Sequence, residues 1–271
     1  MRVCLSAASE APAKIRRAPV LLVWAILVLA AQFGGAEDAK SNLTVFQEDA
    51  VMPHLAEGGG WTTTITLVNL DGTDAPFELS FFDNHGQGLT LPIEGVGNQS
   101  VVSGTIPFRG TVTLQTAGTS APLKEGWGFV ASSQLIGGMA VFSFHRSGLP
   151  DFESVVPFTS YLDLLQVLAF DHRDGFQTGV AMANVLQSQI TVRMQFVEEN
   201  GVSLFSDTVN LPAGGHTSFL LSGRYPQLEG RRGTIQFTEE SGLTEGLAVT
   251  GLRFNPQGPF TTVFPMRGPN W

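Results

Sequence analysis

The sequence is poor in cysteine, with one residue of this type, Cys4, among its 271 residues. Cys4 precedes the apolar run at 20–31, whereas a lipid-modified cysteine would follow such a run. Beyond residue 36 the chain therefore has no thiol, no disulfide and no cysteine-ligated metal. The stability of that part must come from burial and from the pairing of strands.

Charged residues are also scarce, at 14% of the chain, whereas typical domains have about a quarter. Acidic residues outnumber basic ones, and the formal net charge is −9. A chain without a basic cluster is poorly suited to a nucleic-acid backbone or to an anionic membrane surface. We therefore expect no nucleic-acid partner.

Sequence motifs of common active sites are missing as well. The chain has no Gly-x-Ser-x-Gly, no His-Glu-x-x-His and no Gly-x-x-x-x-Gly-Lys. Its five histidines show no ligand spacing, and we expect His85, in a turn, and His172, in a charged loop, to be exposed. These absences favour a protein that is not an enzyme, although a hydrolase with a site assembled from distant loops stays open.

The N-terminus has the order of a secretory signal peptide. Basic residues precede the apolar run at 20–31, and small residues follow at 34–36. The run is shorter than the roughly 20 residues that span a bilayer, so a retained anchor is the less favoured alternative. We predict a signal peptide over 1–36 and a spacer over 37–48. Cleavage would remove four bases and one acid, which leaves a net charge of −12. The predicted location is secreted or in the cell envelope, with no stable membrane span.

What the sequence does contain is an internal repeat, with offsets that shift only in Gly- and Pro-rich stretches. The matching segments are Gly60–Thr63 with Gly175–Thr178, Val68–Leu70 with Ala183–Val185, Ile106–Pro107 with Leu211–Pro212, and Gly138–Val141 with Gly246–Val249. Because matches in a constant order are hard to produce by chance, we predict that the second unit repeats the first.

The repeat keeps an alternation of apolar residues with period two, which predicts half-buried strands. Matched apolar positions include Ile65 with Val180, Leu67 with Met182, Phe77 with Val192, Leu79 with Met194, and Phe81 with Phe196. We predict an all-β fold of two tandem immunoglobulin-like antiparallel β-sandwich domains, over 49–159 and 160–271. Asn69 and Asn184 fall on the same alternate positions as the apolar residues and should point into the core. We therefore expect their amides to bond with loop backbone groups.

Three segments of the first unit resemble a repeat of uncharacterised secreted bacterial proteins. They are the start Gly58–Thr63, the strand end Val68–Asn69 and the strand Gly138–Phe144. The resemblance covers nearly the whole chain after residue 36 and implies an extracellular β-sandwich with no established activity. The second unit departs from it, with Phe176 in place of the tryptophan and Thr250–Gly251 in place of Phe-Ser.

Trp127 and Trp61 are the candidate ligand-binding residues, because exposed indole rings can stack on sugars. Trp61 aligns with Phe176, which favours a role in the core. Trp127 lies between two glycines and aligns with Arg231 or Arg232, so packing within the repeat does not explain its ring. Trp127 is therefore the better candidate for sugar stacking.

Two acidic loops are candidates for calcium, which takes carboxylate and carbonyl oxygens as ligands. One loop carries Asp71 and Asp74, and the other carries Asp171 and Asp174. Neither fits the helix-flanked calcium loop, and ordinary turns also use Asp and Gly. We expect no other cofactor.

The favoured interpretation is a non-enzymatic secreted or envelope-associated β-sandwich protein that acts in adhesion, assembly or surface presentation. The alternatives are a carbohydrate-binding module and a hydrolase with a scattered site. The expected partner is an extracellular protein or a polysaccharide.

Overall fold

Almost all of the regular secondary structure is β-strand, as the period-two alternation predicts. The computed structural model describes residues 50–159, 165–240 and 246–268, which belong to one compact unit over 43–271. All strand pairs between its named strands are antiparallel. The predicted signal peptide, the spacer and the start of the second domain at Ser160 lie outside the described residues.

The N-terminal half, residues 50–159, is built from ten strands. They are β1 (Ala50–Glu57), β2 (Trp61–Asn69), β3 (Ala75–Phe82), β4 (Leu91–Ile93), β5 (Gly97–Gln99), β6 (Val101–Ile106), β7 (Thr111–Gln115), β8 (Lys124–Ser132), β9 (Ile136–Phe144) and β10 (Phe152–Pro157).

The C-terminal half, residues 165–268, adds nine strands and two short helical turns in its described part. The strands are β11 (Leu165–Asp171), β12 (Gln177–Asn184), β13 (Ile190–Glu198), β14 (Ser203–Leu211), β15 (His216–Leu220), β16 (Arg232–Glu239), β17 (Leu247–Phe254), β18 (Phe260–Val263) and β19 (Met266–Arg267). The turns are α1 (Leu221–Arg224) and a 3₁₀ turn at Pro226–Leu228.

Each half contains two sheets that pack on a shared apolar core. In the N-terminal half, sheet I has the order β1-β8-β3-β6 and sheet II the order β10-β9-β2-β7, with β4-β5 as a separate pair. In the C-terminal half, sheet III is β14-β13-β16-β11-β19 and sheet IV is β15-β12-β17-β18. Without β4, β5 and β19, the strand order of one half corresponds strand for strand to that of the other.

The strand order differs from that of an immunoglobulin domain. There the first two strands are neighbours in one sheet. Here β1 pairs with β8, while β2 lies in the other sheet between β7 and β9. The architecture common to both halves is therefore a β-sandwich-like pair of antiparallel sheets.

The predicted core parity is confirmed in both halves. The matched apolar residues are all buried: Ile65, Leu67, Phe77, Leu79 and Phe81 in the first half, and Val180, Met182, Val192, Met194 and Phe196 in the second. A shift of one residue would have turned each set towards solvent. Alternation alone therefore identified the inner faces correctly.

Asn69 and Asn184 make matching hydrogen bonds, as expected for amides at equivalent strand ends. The side-chain nitrogen of Asn69 donates to the carbonyls of Thr73, Ile106 and Pro107 at 2.7, 3.0 and 3.2 Å. That of Asn184 donates to three carbonyls in the same order along its own half, those of Ser188, Leu211 and Pro212. Each amide ties the end of its strand to two loops.

The sequence match between β9 and β17 is wrong by three residues. Cross-strand pairing sets Asn69 opposite Ile136 and Asn184 opposite Leu247, which is an offset of 111 where the sequence match gives 108. Because of this shift, two residues that the sequence match had paired lie on opposite faces of their sheets. Ala140 packs in the core of its own half, whereas Ala248 packs against the other half. The match of similar residues gave the wrong alignment here because the register of a strand is set by the strand that pairs with it.

Candidate functional site

The two halves meet on the outer face of sheet IV, which carries small side chains. Directly paired residues of antiparallel strands share a face, so Ala181 and Ala183 lie beside Thr250 and Ala248. All four are almost completely buried, although they point away from the core of their own half. Small residues let the N-terminal half approach this face closely.

Trp127 fills the centre of this interface. Its ring stacks on Phe82 with centroids 4.7 Å apart and clusters with Ala183 and Ala248 of the other half. Its Nε1 donates a hydrogen bond to the carbonyl of Gly214 at 2.7 Å. Only 3% of Trp127 is exposed. The expectation of an open ring for sugar stacking is therefore wrong, because the second half covers it.

Trp61 packs against the core of its own half, as its match with an aromatic residue suggested, and it also contacts the other half. The ring is partly buried and packs on Phe144 of its own half at 4.8 Å and on Phe260 of the other half at 5.1 Å between centroids. The ring therefore packs within the interface.

The first acidic loop uses its carboxylates to hold backbone groups. Asp71 accepts hydrogen bonds from the amides of Gly72, at 2.5 Å, and Leu135, at 3.2 Å. Asp74 accepts one from the amide of Phe108 at 2.8 Å. These bonds are what turns require of Asp.

The second acidic loop uses its buried carboxylate to pair with arginines. Asp171 accepts from Arg253 at 2.8 Å and from Arg232 at 3.3 Å. Burial tends to raise the pKa of Asp171, but the bonds from Arg253, the Arg173 amide and Arg232 outweigh it and lower the pKa. Asp174 is exposed, with a φ of 54°. Within the described ranges, no group of three or more His, Cys, Asp or Glu residues is placed to hold a metal ion.

His172 is buried, contrary to expectation. The residue has no exposed surface, and its Nε2 accepts a hydrogen bond from the amide of Thr178 at 3.2 Å. Its ring meets Phe170 edge to face. Burial lowers the pKa of His172. The charged residues around it in sequence had suggested solvent, whereas the ring points into the sandwich.

A chain of three polar side chains crosses the interface. His54 Nδ1 lies 3.1 Å from Nε2 of His216, and Nδ1 of His216 lies 2.7 Å from the side-chain oxygen of Asn84. Because an amide oxygen only accepts, Nδ1 of His216 must donate to it. Its Nε2 is then an acceptor in the neutral ring, and Nδ1 of His54 donates to that atom.

Burial keeps both histidines neutral. It lowers the pKa of His54 to about 4. The pKa of His216 is lowered well below its usual value, chiefly by burial and then by the neighbouring His54. The paired rings therefore form a hydrogen-bonded contact without charge between the two halves.

A cavity of about 170 Å³ lies beside His54, between the two halves. Its walls are mostly apolar and come from both halves, with Trp61 and Phe142 on one side and Ala181 and Leu252 on the other. Ser218 and Glu125 also line it, and the hydroxyl of Ser218 donates to the carboxylate of Glu125 at 3.0 Å.

One feature of the sequence does indicate this interface, in the strand of the second half that matches β2. In β2 the outward positions between apolar residues are Thr64 and Thr66, but in β12 the matching positions are Gly179 and Ala181. The run Val180–Ala183 is apolar throughout, which is typical of a strand covered on both faces. The pairing of His54 with His216, 162 residues apart, has no local signal.

Comparison of the chain with protein-family models, with curated proteins and with solved structures finds no match. Among the helices of the described residues, none has the length and apolarity needed to cross a membrane.

Proposed function

We propose that this chain is a non-enzymatic secreted or envelope-associated protein in which two tandem, repeated β-sandwiches form one rigid body for adhesion, assembly or surface presentation. The observation that carries the proposal is the buried interface between the halves. Trp127 and the pair His54–His216 fix the halves by packing and by hydrogen bonds. Export rests on the signal-peptide pattern of residues 1–36 and on the resemblance to secreted bacterial repeats.

The surface offered to a partner is the outer face of sheet II, which we call the Thr-rich face. Its outward residues include Thr64, Thr66 and Thr113, with Met139 and Val155 beside them. Met139 and Val155 are 41% and 46% exposed. One charged residue, Glu153, lies on this face of the described strands. A flat, nearly neutral face on an acidic protein suits an uncharged partner surface.

The polar groups at the interface support a structural role over acyl transfer. An activated serine needs a base within hydrogen-bonding reach that is itself oriented by a third group. Ser218 donates to the carboxylate of Glu125, but His54 and His216 bond to each other and not to this pair. We therefore favour a binding module over the hydrolase alternative.

The test is binding of the purified protein to polysaccharides and extracellular proteins of its native envelope. We expect saturable binding that is lost when Met139 and Val155 are both replaced by Glu, because two charges would be desolvated in the contact. Val202→Glu is the matched control: Val202 is 55% exposed in the other half and outside this face. Binding should survive the control substitution.

Two results would contradict the proposal. One is equal binding by the double Glu variant, which would remove the Thr-rich face from the contact. The other is turnover of ester, peptide or glycoside substrates by the purified protein that disappears in Ser218→Ala, which would favour the hydrolase.

A further inference from the structure

The cavity beside His54 follows from the small side chains of sheet IV. Its floor contains Gly179, Ala181 and Thr250, whereas aromatic side chains of the N-terminal half stand opposite. Packing is normally dense enough that few voids exceed the size of a water molecule. The small side chains of the floor leave a space of about 170 Å³ at the interface.

The cavity is open at one side, where its rim is apolar. Leu123 and Leu220 both line it and are 42% and 43% exposed. Glu125 is the one residue of the lining that carries a full charge, and its carboxylate is already engaged by Ser218. An entering molecule thus meets apolar surface first and finds no free cation to pair with.

His54 and Thr250 add polar atoms to this apolar lining. Thr250 Oγ1 is buried and has no hydrogen-bond partner among the described residues. His54 is 7% exposed and also lines the cavity. Its Nδ1 donates to His216, and its Nε2 has no hydrogen-bond partner among the described residues. In this tautomer Nε2 is an acceptor, so it can take a hydrogen bond from a bound molecule.

We propose that the cavity between the halves binds a small neutral molecule, aromatic or branched aliphatic, whose single hydroxyl group donates a hydrogen bond to Nε2 of His54. The size fits, because an engineered apolar cavity of about 150 Å³ binds benzene. The lining excludes anions, because a desolvated negative charge would find no cationic partner there. The hydroxyl completes a chain of donors that runs through His54 and His216 to Asn84.

The test uses phenol and toluene as probes of similar shape that differ in the hydroxyl group. Titration calorimetry of the full chain should show saturable binding of both at pH 7.5. Phenol should bind about 2- to 10-fold more tightly, as one neutral hydrogen bond provides. Phenol should also shift the ¹⁵N resonance of His54 Nε2, a readout that needs no variant.

Two variants locate the site. Ala181→Leu fills the floor and should abolish binding of both probes, whereas Ala169→Leu, at an exposed position of β11, should leave binding unchanged. His54→Phe keeps an aromatic ring without the acceptor and should remove the preference for phenol. Circular dichroism shows whether each variant is folded.

The proposal fails if neither probe saturates, or if folded Ala181→Leu binds phenol as the natural protein does. A preference for phenol that persists in His54→Phe, or an unchanged ¹⁵N resonance, would overturn the role of His54. None of these outcomes depends on the Thr-rich face, so the proposed adhesive function stands or falls separately.

Discussion

At the scale of single residues, the histidine pair makes stability depend on pH. His54 has an ordinary pKa of 6.5 and a folded pKa of about 4. Between these values the unfolded chain binds more protons than the folded one, so stability falls as pH falls from about 6.5 towards 4. The loss attributable to His54 is on the order of 3 kcal/mol. Urea unfolding at pH 7.5 and pH 4.5 measures it.

The control separates the histidines from carboxylates that titrate in the same range. His54→Gln cannot protonate, so its loss of stability between the two pH values should be smaller than that of the natural protein. His145→Gln is the surface control, because the side chain of His145 is 69% exposed and pairs with Asp151 outside the interface. Equal pH dependence in all three proteins would mean that acid acts elsewhere.

The strand-end amides give a second prediction for single residues. Asn69→Ala leaves the carbonyls of Thr73, Ile106 and Pro107 without their donor. Because unsatisfied buried acceptors are costly, we expect a loss of about 3 kcal/mol in the free energy of unfolding. Asn184→Ala should cost a similar amount.

Asn210 is the matched control for these amides. It is exposed and bonds to one hydroxyl, that of Thr191. Asn210→Ala should change stability by less than about 0.5 kcal/mol. If Asn69→Ala were equally harmless by denaturant unfolding, water would replace its three bonds, and the amide would not fasten the loops.

At the scale of elements, strand parity is the feature with the sharpest test. Ile65 is 1% exposed, and its neighbour Thr66 lies on the outer face of the same strand. Ile65→Asp should unfold the N-terminal half, and with it the half that packs on it, because an unpaired buried charge is very costly. Thr66→Asp should fold. Far-UV circular dichroism and thermal unfolding distinguish the two, and a cooperatively folded Ile65→Asp protein would contradict the parity.

From the sequence, the alternation of apolar residues predicted which side of each strand faces the core, and little more of the structure could be predicted. Period two identified the inner faces of β2, β3, β12 and β13, and the paired Asn69 and Asn184 marked equivalent strand ends. The register between β9 and β17 was missed because local identity does not report which residue lies opposite. Likewise the alignment of Trp127 with Arg231 or Arg232 suggested exposure, since alternation says which face a residue is on and not what covers that face.

At the scale of the whole molecule, the interface should make the two halves unfold together. Leu252 and Phe260 of the C-terminal half belong to the core cluster of the N-terminal half. A half that unfolded alone would expose this shared apolar surface at a cost that grows with its area. We therefore expect one transition in urea, with hydrogen exchange in both halves lost at the same midpoint.

Trp127 is the residue whose removal should separate the halves. Trp127→Ala deletes the largest side chain of the interface cluster and its bond to Gly214, which should cost about 3 to 5 kcal/mol. The substitution weakens the contact between the halves and leaves both sandwich cores intact. Hydrogen exchange in urea should therefore show a separate unfolding midpoint for each half. Trp127→Phe keeps most of the packing and should retain one transition at a slightly lower midpoint.

A single transition in Trp127→Ala would mean that the remaining contacts, among them His54–His216 and Ser154–Thr262, suffice to couple the halves. The rigid body would then depend on the whole interface and not on its central ring.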